Sequence, residues 1–342
     1  MQIRSTIALA VTLFGSVPAA HAGWPCSIAH AYPEVSELRV ENGELVAILG
    51  TYFAQTKDRG SAKRPQYLIE HPRLSKSAGG KWEKDGVSGP PDWWHGAREQ
   101  CIDAPSDEQA AWKAAHGELP FSKGSHDWFN QHISSCASDG DSLWGGISFY
   151  DGEGGWGVGG LVRQDIETGT VEFVRPRQLI DGSTGPLAYF ADNLWMGDTW
   201  SGECAGPPSG EGLKRLKQFT DSYGVEEVPE VCGFAVRDFQ ELNGALWVAT
   251  ELGLSKLTDD GGPIWTNFVP DLNHRDLMRQ VTCDALYEEL LKSTRLANTT
   301  GFDIGNAFDV FWERVSTLRP DFARRYLRKL HGHEADNYPR YE

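Results

Sequence analysis

The sequence lacks any apolar run long enough to cross a bilayer, which takes about 18 residues or more. Its one N-terminal run, residues 7–14, is short; it follows Arg4 and precedes the small-x-small sequence Ala20-His21-Ala22. These are the features of a secretory signal peptide. We therefore expect residues 1–22 to be removed by cleavage near Ala22. The mature protein should be periplasmic or secreted, without a membrane span.

Basic residues are also scarce. The chain has 32 Lys and Arg against 48 Asp and Glu, which gives a formal net charge of −16 at pH 7. The surplus of acid precedes residue 274, because residues 274–342 hold 11 basic and 11 acidic side chains. Nucleic-acid binding requires a basic face that pairs with phosphates. The composition therefore argues against nucleic acid and leaves a small ligand or an exported protein as the expected partner.

Common catalytic and metal-binding patterns are missing as well. The chain has no Gly-x-Ser-x-Gly nucleophile elbow. Its glycine-rich stretch 155–160 leads into a predicted strand, not into the helix that binds phosphate. His126 and His132 have a spacing that matches no zinc pattern. The Asp/Gly loops 139–141 and 151–155 lack the distal Glu of a full calcium loop. We expect no metal site and no cofactor, with Ca²⁺ as the one ion left open.

Six cysteines follow the predicted signal peptide. An even number in an exported chain predicts three disulfides, although the sequence alone leaves the pairing open. We expect near neighbours in sequence to pair and the remaining two cysteines to join the two ends of the chain. The expected pairs are Cys101 with Cys136, Cys204 with Cys232, and Cys26 with Cys283.

The sequence does contain a short motif that is repeated four times. In each copy, a short turn is followed by Leu and a partner residue, which begin a strand. The copies are Asn42-Gly43-Glu44-Leu45-Val46, Asp141-Ser142-Leu143-Trp144, Asp192-Asn193-Leu194-Trp195 and Asn243-Gly244-Ala245-Leu246-Trp247. The leucines of the last three copies are 51 and 52 residues apart. A period of about 40–50 residues with one aromatic mark per unit is typical of a β-propeller. We predict a mainly-β fold, a propeller of four to five blades in residues 23–273.

Two of these copies carry a longer motif. Leu143-Trp144-Gly145-Gly146 is followed by Gly160-Leu161-Val162-Arg163, and Leu246-Trp247-Val248-Ala249-Thr250 by Gly253-Leu254-Ser255-Lys256. This resembles the propeller repeats of periplasmic two-component sensors, which run Leu-Trp-hydrophobic-Gly-Thr and then Gly-Leu-x-Arg/Lys. The resemblance implies a propeller and implies no activity. The chain lacks the transmembrane helix and kinase region of such sensors, so we do not expect it to be a membrane sensor itself.

Several segments fall outside the plain repeat. The runs before the Leu-Trp pairs, residues 187–190 and 234–239, are predicted to be the fourth strands of their blades. Residues 85–125 are rich in Gly, Pro, Asp and Trp and form either an insertion or a degenerate blade; we favour an insertion with a short helix that begins near Ser106.

The last part of the chain, residues 274–342, is predicted to be helical. Helical spacing of apolar residues predicts helices over 276–296, 306–318 and 321–330, with Met278, Val281 and Ala285 on one side of the first. Pro320 is expected to end the second helix. We expect this tail to pack on the side of the propeller or across one face.

Three groups of residues are weighed as parts of a functional site. Trp144, Trp195 and Trp247 could form a sugar-stacking platform, but their common place in the repeat favours packing between blades. Adjacent large aromatics in a loop cannot all point inward, so we expect Trp93, Trp94 and His95 to contact a ligand or partner, with capping of the ring as the alternative. Four acidic residues near strand ends are candidates for one mouth of the central channel: Asp192, Asp198, Glu203 and Glu251.

Two functions fit this pattern. An exported ligand- or protein-binding module would use the surface around Trp93, Trp94 and His95. A propeller hydrolase or lyase would instead gather carboxylates and a His around a metal at the channel mouth. The sequence shows no combined His and carboxylate pattern, so we favour the binding module over an enzyme.

Overall fold

In the computed structural model, the described residues are 34–50, 71–76, 80–88, 101–102, 132–148, 159–180, 182–199, 210–218, 222–259, 263–272, 275–298, 312 and 315–331. They form four antiparallel sheets in a four-bladed β-propeller, followed by helices. The predicted mainly-β propeller fold is thus confirmed, with four blades.

In each blade, the first four strands lie side by side in the sheet in the same order as in the chain. The strands are β1 (Glu34–Glu41), β2 (Glu44–Gly50), β3 (His71–Lys76) and β4 (Trp82–Ser88) in blade 1; β5 (His132–Ser138), β6 (Ser142–Ser148), β7 (Leu161–Asp165) and β8 (Val171–Val174) in blade 2; β9 (Ser183–Phe190), β10 (Asn193–Thr199), β11 (Lys214–Gln218) and β12 (Tyr223–Glu227) in blade 3; and β13 (Val236–Leu242), β14 (Ala245–Thr250), β15 (Gly253–Thr258), β16 (Ile264–Pro270) and β17 (Met278–Val281) in blade 4.

The first strand of each blade lies next to the central axis. β5 contacts β9, β9 contacts β13, and β13 contacts β1. Side chains join neighbouring blades here, since the Leu187 amide donates to Ser135 Oγ at 2.8 Å and the Leu38 amide donates to Asp238 Oδ2 at 2.9 Å. Strand register and blade spacing are therefore fixed around the axis by backbone bonds to buried polar groups.

This order corrects one sequence prediction. Residues 187–190 and 236–239 belong to β9 and β13, which are first strands, not fourth strands. The reason is the turn that follows each run. Asn243 and Gly244 have φ values of 53° and 68°, and both positions of a type I′ hairpin turn require positive φ. Such a turn folds the run directly onto the Leu-Trp strand.

The Trp of the repeat packs between blades, as predicted. Each Trp lies on a second strand, is at most 5% exposed, and meets an aromatic ring of the next blade edge-on. The pairs are Trp144 with Tyr223 at 5.8 Å, Trp195 with Trp265 at 5.6 Å, and Trp247 with Trp82 at 6.3 Å between ring centroids. The repeated aromatic is thus a core residue and not a sugar platform.

The antiparallel order gives the propeller two unlike faces. We call the end with the connections between second and third strands and between blades the long-connection face; its connections include 51–70, 89–131, 149–160 and 200–213. The opposite end is the tight-turn face, with turns between first and second strands and between third and fourth strands, none longer than five residues. Insertions have accumulated on one face only.

The start of the tail differs from the prediction. Residues 278–281 are not helical but form β17, a fifth strand that pairs with β16 from Asn267↔Val281 to Pro270↔Met278. The first helix, α1 (Cys283–Asn298), begins after this strand. β17 covers the outer edge of blade 4, which would otherwise present unpaired backbone groups.

The end of the tail agrees more closely with the helices predicted from the sequence. Residues 315–318 are helical, and α2 (Pro320–His331) matches the third predicted helix. Pro320 follows the end of the preceding helix, as expected, but it is also the first residue of α2, where its missing N–H costs nothing. Residues 306–311 of the second predicted helix lie outside the described residues.

The tail packs on the long-connection face of blade 4. Leu286, Tyr287 and Leu291 of α1 share a core with Phe234 and Leu252, and Phe322 and Tyr326 of α2 join it. The buried Tyr287 hydroxyl donates to the Cys232 carbonyl at 2.6 Å, and burial raises the pKa of Tyr287. The packing follows one of the two placements expected from the sequence, across a face.

Two disulfides lie among the described residues. Cys101 pairs with Cys136, as predicted. Cys232 pairs with Cys283 at a Cα–Cα distance of 4.9 Å, so the expected pairs of Cys232 with Cys204 and of Cys283 with Cys26 are wrong. β17 returns the chain to the connection between blades 3 and 4, which brings these two residues together. Cys26 and Cys204 lie outside the described residues.

Candidate functional site

The predicted aromatic contact residues, Trp93, Trp94 and His95, lie outside the described residues. Their connection leaves blade 1 at Ser88 and enters blade 2 at His132. Both strand ends belong to the long-connection face. β4 covers residues 85–88 of the predicted insertion, and most of the remainder also falls outside the described residues.

Of the four predicted channel-mouth carboxylates, Asp192 and Glu251 lie in turns on opposite faces. Asp192 is exposed in the turn between β9 and β10, on the tight-turn face. Glu251 lies in the turn between β14 and β15, on the long-connection face. Asp198 is near the long-connection end of β10, and its side chain is outside the described residues, as is the whole of Glu203. The structure therefore separates Asp192 from Glu251.

Glu251 is buried and is hydrogen-bonded to the connection between blades 3 and 4. It is 5% exposed, and its two oxygens accept the backbone amides of Phe234 and Ala235, each at 2.7 Å. Burial raises the pKa of Glu251 to about 7, against the opposing effect of the two amides and of Arg237. The carboxyl holds the segment between blades 3 and 4 in place, next to the core of the tail.

A test of this environment is the pH dependence of stability. The pKa of Glu251 is about 7 in the folded chain against 4.5 for the free side chain, so protonation favours the folded state. The stabilisation is fully present below pH 4.5 and is lost as the pH rises through 7, with a maximal contribution of ~3 kcal/mol. Urea unfolding at pH 5 and pH 8 should show this loss in the native chain and a smaller loss in Glu251→Gln. An equal loss in both proteins would contradict the assignment.

A cleft opens on the long-connection face between blades 2 and 3. It has a volume of about 390 Å³ and is lined by charges of both signs. The lining residues are Arg177, Gln178 and Gly182 from the connection between the blades, and Glu211, Lys214, Val225 and Glu227 from blade 3.

Lys214 is the unusual member of this lining. It is 1% exposed, and its Nζ lies 2.8 Å from Glu211 Oε2 and 3.3 Å from the Gln178 carbonyl. A buried ammonium is costly unless it is paired, so such groups often mark functional sites. Pockets with a few convergent polar groups are the usual sites for small ligands.

This cleft was not predicted from the sequence, although a signal was present. Gly212-Leu213-Lys214-Arg215 is a third copy of the Gly-Leu-x-Arg/Lys motif. The x position is Val162 or Ser255 in the other two copies, both buried. A Lys at a buried repeat position was the available clue.

The described ranges hold neither a metal-binding cluster nor a membrane-spanning helix. There, no three His, Cys, Asp or Glu side chains come together in an arrangement that could hold a metal ion. No helix of this part of the chain has the length and apolar character needed to cross a membrane.

Comparison with known proteins gives structural likeness only. No known family profile and no curated protein matches the chain. Among solved structures, PorZ, a surface component of the type-IX secretion system of Porphyromonas gingivalis, matches 73% of this chain with 36% of its own length, at 12% identity and a TM-score of 0.32. The extracellular domain of a putative hybrid two-component system from B. thetaiotaomicron matches 75% with 34% of its own length, at 12% identity and a TM-score of 0.29.

A third match is a β-xylosidase/α-arabinofuranosidase from a compost metagenome, with 75% of this chain and 92% of that one covered, 11% identity and a TM-score of 0.26. The chain spans about a third of the length of the first two proteins. These matches identify no particular protein. Proteins of unlike activity share this fold, so fold alone carries no function.

Proposed function

We propose that this chain is an exported binding module that contacts a small polar ligand or an exported protein through its long-connection face. The observation that supports this is the coincidence of the long connections and the polar cleft on one face of a rigid ring. Binding residues concentrate on loops that a rigid scaffold positions. Disulfides among the described cysteines accord with an exported protein.

The cleft supplies the chemistry for polar recognition. Lys214 provides an ammonium at its floor, and Arg177, Glu211 and Glu227 provide charges of both signs at its rim. The connection with Trp93, Trp94 and His95 starts and ends on this face, so aromatic contacts could add to the same surface. The hydrolase or lyase alternative has less support, because Asp192 lies on the other face and Glu251 is bonded to backbone amides.

Site-specific photo-crosslinking tests which face binds. A photoreactive phenylalanine analogue at the exposed Gln178 position should give a discrete adduct in the cells that export the protein. The matched control is the exposed Glu167 position, in the turn between β7 and β8 of blade 2, on the tight-turn face. We expect an adduct from position 178 that Lys214→Met weakens, and none from 167. Equal adducts from both positions, or an adduct from 167 alone, would contradict the proposal.

A further inference from the structure

Blades 2 and 3 share a three-residue arrangement across their second, third and fourth strands. A Trp on the second strand faces a stacked Arg on the third, and a Glu directly opposite on the fourth strand pairs with that Arg. The sets are Trp144, Arg163 and Glu172 in blade 2, and Trp195, Arg215 and Glu226 in blade 3. In each set the guanidinium carbon Cζ of the Arg lies 5.6 Å from the centroid of the Trp ring.

Blade 4 keeps two members of this set and lacks the third. Trp247 faces Lys256 in the same register, with Lys256 Nζ 5.6 Å from the ring centroid. The residue opposite Lys256 on the fourth strand is Thr266. Blade 4 therefore has the stacked cation of the repeat, with Thr266 at the position that a Glu occupies in blades 2 and 3.

A second amine approaches the same ring. Lys76, the last residue of β3 in blade 1, places its Nζ 4.4 Å from the Trp247 centroid and 5.8 Å from the Trp82 centroid. Burial, and then the charge of Lys256, lower the pKa of Lys76. Within the described parts of the chain, neither Lys76 nor Lys256 forms an ion pair with a carboxylate.

This pair of amines is unexpected in so acidic a chain. Both are partly buried, at the junction of blades 4 and 1 towards the tight-turn face. Two ammonium groups around one ring repel each other, and partial burial increases the cost because water screens them less. An anion placed with them would remove this penalty and add charge-assisted hydrogen bonds.

We propose that Lys76 and Lys256 form a binding site for a small oxyanion, a phosphate or carboxylate group, that takes the place of the missing repeat carboxylate. The site is separate from the cleft between blades 2 and 3 and does not depend on the function proposed for that face. The bound anion supplies the negative charge that Glu172 supplies in blade 2 and Glu226 supplies in blade 3. We therefore expect the site to bind a single oxyanion.

The proposal is tested by measuring oxyanion binding before and after Thr266→Glu restores the carboxylate of the repeat. Inorganic phosphate is titrated into the full chain at constant ionic strength and followed by phosphorus NMR and calorimetry, with succinate as a second arm for the carboxylate source. We expect saturable binding of one oxyanion. Thr266→Glu should weaken it about tenfold or more, because a like charge then occupies the site. Lys76→Gln should also weaken it while leaving the stack of Lys256 on Trp247 intact.

The matched control is Gln218→Glu, an exposed residue of β11 that adds the same charge in blade 3. It should leave the affinity within about twofold of the native value. In the absence of ligand, Thr266→Glu should raise the unfolding midpoint, which separates loss of binding from loss of folding. Absence of saturable binding of either anion overturns the proposal. So does equal weakening by Thr266→Glu and Gln218→Glu, or binding that neither site variant changes.

Discussion

Replacing Trp247 by Ala should lower the free energy of unfolding by about 3–5 kcal/mol, the usual cost of removing a buried Trp. Trp247 is 3% exposed and packs with Trp82 of blade 1 and Phe268 of its own blade. It thus lies where blade 4 meets blade 1, in a core that draws Val35 and Leu74 from the other blade. A cavity here weakens a contact between blades as well as one within a blade.

Urea unfolding followed by circular dichroism measures this loss. Trp247→Phe should lose less than Trp247→Ala, because a ring remains to meet Trp82. The control is Val40→Ala in β1, a side chain that is 39% exposed, which should change stability by no more than about 0.5 kcal/mol. A loss from Trp247→Ala no larger than that of the control would show that the repeated Trp does not carry the contact between blades.

The repeat predicted this part of the fold because its signal is local. A Trp at the same place in each unit, on the second strand of its blade, is buried against the neighbouring unit. The phase of the blades was harder to predict. The repeated motif shows where strands occur, but it does not show where one sheet ends and the next begins. The two-residue turn formed by Asn243 and Gly244 determines this in blade 4.

The candidate site was less accessible from sequence. Lys214 is buried where it meets the connection between blades 2 and 3, through the carbonyl of Gln178. The missing carboxylate opposite Lys256 becomes visible only once the register of β15 and β16 is known, since it is the comparison with Glu172 and Glu226 that makes Thr266 stand out. Side chains brought together by different blades leave no fixed spacing in the sequence.

The cysteines show the same limit. Cys101 and Cys136 are 35 residues apart, and the expectation that near neighbours in sequence pair predicted this bridge correctly. Cys232 and Cys283 are 51 residues apart, and their pairing requires β17 and the start of α1. If the chain forms three bridges, this leaves Cys204 as the expected partner of Cys26. Peptide mapping of the unreduced protein should find Cys283 linked to Cys232 and not to Cys26.

Removal of that bridge should have the second large effect. Cys232→Ser with Cys283→Ser frees a loop of 51 residues, which in the chain-entropy description costs about 4 kcal/mol of stability. The loss should be concentrated in the tail, because the bridge joins the first residue of α1 to the connection between blades 3 and 4. Without the bridge, side-chain contacts such as those of Tyr287 with Phe234 and Phe322 are left to hold the tail to this connection. We therefore expect the helices to open more often while the propeller stays folded.

Hydrogen exchange of the backbone amides distinguishes this local loosening from global loss. In the double variant, α1 (Cys283–Asn298) and α2 (Pro320–His331) should exchange faster while β9 and β10 keep their protection. Removal of the other bridge by Cys101→Ser with Cys136→Ser is the matched control, with a similar loop of 35 residues and a similar expected cost. It should loosen blade 2, where Ile102 and Ile133 share a core, and leave the tail protected. Faster exchange of the tail in the control, or equal exchange across the whole chain in the Cys232 variant, would mean that the tail is not held at this point.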